Sequence, residues 1–113
     1  MISMYAIANC DTVKKARAFL DKKKISYEFI DFKKVSPDKK MIKAWADFMG
    51  ELPVNKKGLT YKKYKEEYES LSELEKINFI IEHSSMIKRP VLMKEMKTIA
   101  IGFDEENYKG LKL

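Results

Sequence analysis

Apolar and polar residues are arranged at the start of the chain in a pattern that predicts a strand followed by a helix. Residues 2–8 are mostly apolar and end at the turn Asn9-Cys10-Asp11, which is typical of a buried strand. Over residues 13–20, apolar side chains recur at helical spacing and lysines occupy the other face. We therefore expect an amphipathic helix, with Thr12 or Asp11 as its N-terminal cap.

The next stretch predicts a second strand and then a helical middle. Residues 27–32 partly alternate, and their distance from the first strand favours a parallel strand–helix–strand unit. Ser36-Pro37 is typical of a helix start, with Ser36 as the cap, and Gly50 is typical of a helix end. Residues 52–58 form the clearest loop, and Ser72-Glu73-Leu74-Glu75 opens another helix. Apolar stripes on these helices predict packing rather than a cofactor site: Met41, Ile42, Trp45, Phe48, Met49, Tyr61, Tyr64, Tyr68 and Leu71.

The last part of the chain predicts a hairpin and a short helix. Arg89-Pro90 ends the helical pattern, and residues 91–94 and 97–102 predict two strands joined by a tight turn at Glu95-Met96. Asp104-Glu105-Glu106 places acidic residues where they favour the start of a final helix.

Composition narrows the protein class without naming a function. A chain of 113 residues has the length of one domain, and a single cysteine excludes an internal disulfide. With neither a signal peptide nor a long uncharged apolar run, we expect a cytoplasmic protein with no membrane contact. The net charge of +6 suits an acidic partner or an anionic ligand. Because the lysine runs lack interleaved aromatic residues, direct nucleic-acid binding is not expected.

The one cysteine is the strongest chemical candidate. Cys10 lies where a strand ends and a helix begins, and the free N–H groups and dipole of a helix start favour a thiolate. The sequence pattern alone leaves open a nucleophile or a small buried apolar residue. No metal site is predicted, because the only histidine, His83, has no second cysteine near it and fits a packing or surface position at a helix end.

Three motifs resemble those of the ArsC/Spx arsenate reductase family. The segment Asn9-Cys10-Asp11-Thr12-Val13-Lys14-Lys15-Ala16 is similar to the motif of a short "NCDT-KKA" arsenate-reductase-like branch. Asn55-Lys56-Lys57-Gly58 resembles the family loop before its later helices, and Ile87-Lys88-Arg89-Pro90 resembles its Arg-Pro element. With Ile101-Gly102-Phe103, the resemblance extends over essentially the whole chain.

The resemblance implies an α/β, thioredoxin-like fold with a four-stranded mixed sheet, flanking helices and a helical insertion between strands 2 and 3. We expect a single domain over residues 1–113, with 1–35 and 86–113 forming the sheet part and 36–85 the insertion. In this family the third strand lies antiparallel beside the first, which would bring Arg89 close to Cys10. The Arg89–Pro90 bond is expected to be cis.

In the resembling arsenate reductases, a cysteine attacks arsenic, an arginine set holds the oxyanion, and glutathione with glutaredoxin regenerates the thiol. Cys10 matches the nucleophile and Arg89 the arginine before proline, whereas Lys57 stands where the related loop carries an arginine. The third arginine has no counterpart, because Ile101-Gly102 occupies that region. Lysine offers a point charge rather than a planar fork, so the oxyanion should be held less selectively.

Two functions remain as expectations. The first is a monomeric monothiol oxidoreductase with no bound cofactor, in which an external thiol such as glutathione, or a glutaredoxin-like reductant, resolves an adduct on Cys10. Its anion site would comprise Asp11, Thr12, Lys57 and Pro90. The alternative is an Spx-like regulator that binds the C-terminal domain of the RNA polymerase α subunit. Spx proteins typically carry a Cys-x-x-Cys switch, and Val13 fills the second cysteine position here.

Overall fold

The computed structural model describes residues 1–111 and 113, which divide into two compact units. The sheet unit comprises Met1–Val35 and Arg89–Leu113, and the helical unit comprises Ser36–Lys88. In chain order the elements are β1 (Ile2–Ala6), α1 (Asp11–Lys22), β2 (Tyr27–Asp31), α2 (Lys39–Met49), α3 (Leu59–Glu69), α4 (Glu73–Glu82), a 3-10 turn (Ser84–Met86), β3 (Val91–Lys94), β4 (Lys97–Ile101) and α5 (Glu105–Gly110).

The sheet has the topology that the resemblance implies. Its strand order is β2-β1-β3-β4, with β1 parallel to β2 and antiparallel to β3. Tyr5 pairs with Val91, so the end of β1 lies beside the start of β3. The segments that follow β1 and precede β3 therefore meet at one edge of the sheet. The predicted α/β, four-stranded mixed fold is confirmed.

One face of the sheet is buried with α1 and α5. Side chains of β1 alternate, so Ile2, Met4 and Ala6 point into a common core with three side chains of α1. Edge-to-face ring contacts join Phe19 of α1 to Tyr108 of α5, whose centroids lie 5.7 Å apart. This core fixes α1 against the strand that leads into it. Its buried members are Ile2, Met4, Ala6, Val13, Ala16, Leu20, Leu92, Ala100 and Tyr108.

Helix α1 begins earlier than the sequence pattern predicted. Its N-cap is Cys10, whose carbonyl accepts the N–H of Lys14 at 2.9 Å, and Asp11 is the first helical residue. The prediction that Thr12 or Asp11 caps the helix is wrong, because the helical hydrogen bonds already start at the Cys10 carbonyl. Cys10 is therefore itself the cap residue of the helix.

The start of α2 also differs from the prediction. Ser36 does not cap this helix; Asp38 does, with its carboxylate accepting the N–H of Met41 at 2.9 Å. Asp38 can satisfy the free N–H groups of the first turn, so the helical backbone starts two residues later than Ser36-Pro37 suggested. The predicted end is confirmed, since Gly50 adopts a φ of 81° that favours glycine.

Aromatic rings pack together within the helical unit. Phe79 lies against Tyr64, Tyr68 and His83, and its ring is stacked on that of His83 with centroids 4.1 Å apart. Ser72 and Glu75 form the predicted capping box at the start of α4. The packing role predicted for the tyrosine stripe is confirmed, and His83, for which the sequence left a surface or a packing position open, packs against Phe79.

The hairpin of β3 and β4 is confirmed as well. Glu95 and Met96 form its two-residue turn, with φ values of 51° and 68°. Both residues therefore occupy the left-handed region that a tight hairpin of this kind requires. As to membranes, no helix within residues 1–111 and 113 combines the length and the apolar character that a transmembrane span needs.

Candidate active site

Cys10 is placed by the turn between β1 and α1. Strand β1 ends at Ala6, and Cys10 takes an extended conformation (φ −143°, ψ 125°) before the helix starts. Its side chain is half-buried and packs against the core of the sheet unit, while the thiol is free of any disulfide. Cys10 therefore combines the two roles that the sequence pattern left open, since it is partly packed and still accessible.

Arg89 and Pro90 are placed by the start of β3. The Arg89–Pro90 peptide bond is cis, as predicted, and the carbonyl of the buried Pro90 accepts the N–H of Gly102 at 2.9 Å. Arg89 is half-buried, and its guanidinium interacts with the thiol of Cys10. The structure thus brings together the two residues that the family resemblance implied to be neighbours.

The surroundings of Cys10 favour its thiolate. Burial raises the pKa of the thiol, but this is outweighed by hydrogen bonding from the N–H of Val13, by the hydrogen bond and charge of Arg89, and by the N–H of Thr12. The net effect is a pKa below the ordinary value of a cysteine. The Cys10 side chain makes no regular capping hydrogen bond at the start of α1. The N–H groups of the first turn therefore act chiefly on the charged form of the thiol, the thiolate.

The N–H of Val13 is a contributor that the sequence interpretation missed. With Cys10 at the N-cap, Thr12 and Val13 are the second and third helical residues, whose N–H groups point back toward the cap side chain. Correct placement of the cap one residue before Asp11 would have identified both groups. The side chains of Asp11 and Thr12 are exposed.

The remaining predicted anion-binding residue, Lys57, belongs to the helical unit. It lies in the loop between α2 and α3, where its N–H donates to Asn55 Oδ1 at 3.2 Å and its side chain is exposed. Its participation in the chemistry of Cys10 stays a prediction. In the region without the third arginine, Gly102 is buried at a φ of 84°.

The sequence and the geometry agree with one family. The sequence model of the ArsC family matches residues 5–111. The chain belongs to the ArsC family. Residues 5–111 include the cysteine turn, the Arg-Pro element and the whole helical unit.

Individual relatives span nearly the whole chain. An uncharacterised protein of Haemophilus influenzae is 32% identical over 97% of both chains. The structure of a possible arsenate reductase from Streptococcus mutans is 31% identical and superimposes with a TM-score of 0.77, covering 96% of this chain and 98% of that one. A global transcriptional regulator, Spx 2 of Bacillus anthracis, is 28% identical over 96% of this chain and 85% of its own length. This chain thus resembles both a possible arsenate reductase and a transcriptional regulator.

His83, the single histidine of the sequence, lies outside any group of metal ligands among the described residues. Among residues 1–111 and 113, no three His, Cys, Asp or Glu side chains are grouped as metal ligands. His83 is instead covered by Phe79, and its Nδ1 lies 3.0 Å from the Phe79 carbonyl oxygen. The chemistry that the site supports is that of a single activated thiol beside a guanidinium.

Proposed function

We propose that this ArsC-family protein is a monothiol redox protein whose nucleophile is the thiolate of Cys10. The observation that carries the proposal is the placement of the thiol between the first N–H groups of α1 and Arg89, which lowers its pKa. A lowered pKa raises the fraction of thiolate at neutral pH, and the thiolate is the reactive form. Arg89 also supplies a planar donor for an anionic group of the substrate.

The proposed reaction is thiol–disulfide exchange in two steps. The Cys10 thiolate attacks one sulfur of a disulfide substrate, which forms a mixed disulfide on Cys10 and releases the other half as a thiolate. An external thiol such as glutathione then attacks that mixed disulfide, which regenerates Cys10 and leaves a new disulfide between the two small molecules. The external step is required because the sequence has no second cysteine.

We also propose that Cys10 can reduce an oxyanion. We expect this reaction to be slower than disulfide exchange, because the chain has few arginines to hold the oxyanion. The sequence contains two arginines, Arg17 and Arg89. Arg17 donates from Nε to the Tyr27 hydroxyl at 3.0 Å and lies over the ring of Phe29 at 4.3 Å. With Arg17 engaged in this way, Arg89 is the guanidinium that acts on the thiol. One planar fork holds a tetrahedral oxyanion less selectively than a set of them.

A comparison of two substrates tests the proposal. The wild-type protein is incubated with glutathione and either a glutathione mixed disulfide or arsenate, beside the Cys10→Ser and Arg89→Ala variants. We expect turnover of the disulfide that is absent in Cys10→Ser and reduced in Arg89→Ala, with slower or no arsenate reduction. Mass spectrometry should detect a glutathione adduct on Cys10. If neither reaction exceeds the Cys10→Ser background, the proposal is wrong.

A second candidate is supported by the similarity to Spx 2, which covers 96% of this chain. In this alternative, the protein binds the C-terminal domain of the RNA polymerase α subunit, and its basic surface would complement an acidic partner. The position of the second switch cysteine is occupied by Val13, which is fully buried in the core of the sheet unit. A pull-down with the purified α domain tests this alternative, and absence of binding at micromolar concentration would eliminate it.

A further inference from the structure

A small cavity with an excess of positive charge lies within the helical unit. It has a volume of about 360 Å³ and is formed at the loop between α2 and α3. Lys56 and Lys57 line it from the loop, and Lys88 lines it from the end of the unit. Glu51 is the one carboxylate in its wall, and Met49 and Val54 add apolar surface. The volume is at the small end of the range for ligand sites, which is roughly 300–1,000 Å³.

Backbone hydrogen bonds hold the lysine-bearing segments together. Val54 and Ile87 form an antiparallel bridge, and on either side of it the N–H of Asn55 donates to the Met86 carbonyl at 2.8 Å and the N–H of Lys88 to the Pro53 carbonyl at 3.0 Å. The two segments are therefore fixed to each other like a short pair of strands. The backbone positions of the cavity lysines are therefore fixed relative to each other.

Gly58 permits the tight turn that completes the loop. Its N–H donates to the Asn55 carbonyl at 3.0 Å, and a Cβ atom at this position would lie 3.1 Å from Asn55 Nδ2 and 3.3 Å from that carbonyl oxygen. Such a Cβ would be tighter than ordinary van der Waals contact. The absence of a side chain at Gly58 thus allows Asn55 to accept the N–H groups of both Lys57 and Gly58.

The charges of the cavity are only partly compensated. Lys56 Nζ lies 3.9 Å from Glu51 Oε1, which is a long and exposed ion pair. Across residues 1–111 and 113, neither Lys57 nor Lys88 has a carboxylate oxygen within 4 Å of its ammonium group. Two unpaired ammonium groups that line one cavity repel each other, and an anion between them would relieve that repulsion.

We propose that this cavity binds a small dianion, carrying carboxylate or phosphate groups, through Lys57 and Lys88. The ammonium groups supply point charges that accept either kind of anion, and the polar residue Asn55 lines the same cavity. The inference does not rest on the thiol chemistry of Cys10. It is therefore tested in the Cys10→Ser variant, where disulfide exchange cannot contribute.

The test is an NMR titration at low salt with three probes: inorganic phosphate, succinate and the uncharged succinamide. We expect saturable shifts of the amide signals of Asn55, Lys57, Gly58 and Lys88 with phosphate, succinate or both, and none with succinamide. A response to only one of the two anions identifies the preferred group. In the Lys57→Ala/Lys88→Ala variant the affinity should fall by at least about fivefold, the size expected for two exposed charge pairs.

The matched control removes the same charge elsewhere in the same unit. Lys62 and Lys63 are exposed on α3, and the Lys62→Ala/Lys63→Ala variant has the same net charge as the test variant. Its affinity should stay within about twofold of the parent. An equal loss in both variants, shifts spread over all lysine-rich surfaces, a succinamide response equal to that of succinate, or no saturable shift with either anion would overturn the proposal.

Discussion

The two units of this protein each carry a chemically capable residue at a helix end, but they use it differently. In the sheet unit, Cys10 caps the N-terminus of α1 and is surrounded by backbone N–H groups and Arg89. In the helical unit, His83 caps the C-terminus of α4 and is stacked on Phe79. Charged and N–H donors around a thiol prepare it for reaction, whereas an aromatic ring over a histidine marks a packing role.

Shifted pKa values in the helical unit also separate residues that pack from a residue that is prepared for reaction. Burial, together with the charge of Glu69, raises the pKa of Tyr68 to about 12. The hydrogen bond from the Tyr61 hydroxyl to Glu69, 2.7 Å long, raises the pKa of Tyr61 and lowers that of Glu69. These shifts favour the neutral phenols of Tyr61 and Tyr68 and the charged carboxylate of Glu69. A shifted pKa is therefore informative about a site only when the shift favours the reactive form.

The largest effect is expected from removing the ring of Phe79, which covers His83, because this tests whether the helical unit uses these rings for packing. Phe79 is 8% exposed, and Phe79→Ala should lower the free energy of unfolding by about 3–5 kcal/mol, because the lost ring leaves a cavity among Tyr64, Tyr68 and His83. Urea denaturation measures the loss. Phe48→Ala is the matched control, since Phe48 is 50% exposed and should change stability by less than about 0.5 kcal/mol. Similar losses in the two variants would contradict a packing role for Phe79.

Helix caps offer a second comparison between the units. Ser72→Ala removes the side chain that accepts the N–H of Glu75 at 3.3 Å and should destabilise the protein by about 1 kcal/mol. Thr12→Ala, at the site that the sequence pattern suggested as a cap, should cost less than about 0.5 kcal/mol because Cys10 is the cap of α1. Thermal or urea unfolding of both variants measures the two losses of stability. A larger loss for Thr12→Ala than for Ser72→Ala would contradict Cys10 as the N-cap of α1.

Variants of Arg89 test whether its charge lowers the pKa of the Cys10 thiol. Arg89→Ala should slow alkylation of Cys10 near neutral pH by about fivefold, the effect of losing one partly exposed charge partner, because the pKa of the thiol rises. Arg89→Lys should recover part of the rate, since the charge remains. Arg17→Ala removes the other arginine and should leave the rate unchanged. If Arg89→Ala and Arg17→Ala behaved alike, Arg89 would have no specific influence on Cys10.

The smallest expected effect is a pH dependence of stability that originates in the sheet unit. The folded-state pKa of Cys10 lies below that of an ordinary cysteine, so the thiolate contributes stability that is fully present above the unfolded-state pKa and lost as pH falls through the folded-state pKa. The stability of the wild type relative to Cys10→Ser should therefore rise with pH across this window and level off above it. Urea unfolding at a series of pH values measures the difference, and a constant or falling difference would exclude the effect.

Much of the fold followed from the sequence because its patterns are local. The apolar run of β1, the helical spacing from Val13 to Leu20 and the turn at Glu95-Met96 each depend on neighbouring residues, and each predicted element formed. Helix starts were harder to predict. Asp38 and Ser36 are both good cap residues, and only the backbone hydrogen bonds decide between them.

The candidate site was predictable only in part. Contact between Cys10 and Arg89 depends on the antiparallel pairing of β1 with β3, which the resemblance implied and local spacing does not encode. The contribution of the Val13 N–H was missed because it depends on the position of the cap, and Val13 looks like an ordinary core residue in the sequence. The sequence pattern predicted that N–H groups of a helix start would act on the thiol, but which of them do so depends on the cap residue, and the backbone hydrogen bonds define that residue.

The central claim is that the fold prepares Cys10 as a thiolate. The most direct measurement is the rate of Cys10 alkylation by the neutral reagent iodoacetamide as a function of pH, with the Cys10→Ser variant as the blank. We predict a titration whose midpoint lies below the ordinary cysteine value of about 8.5, as expected from the N–H groups of Val13 and Thr12 and from Arg89. A midpoint at or above that value would contradict the claim.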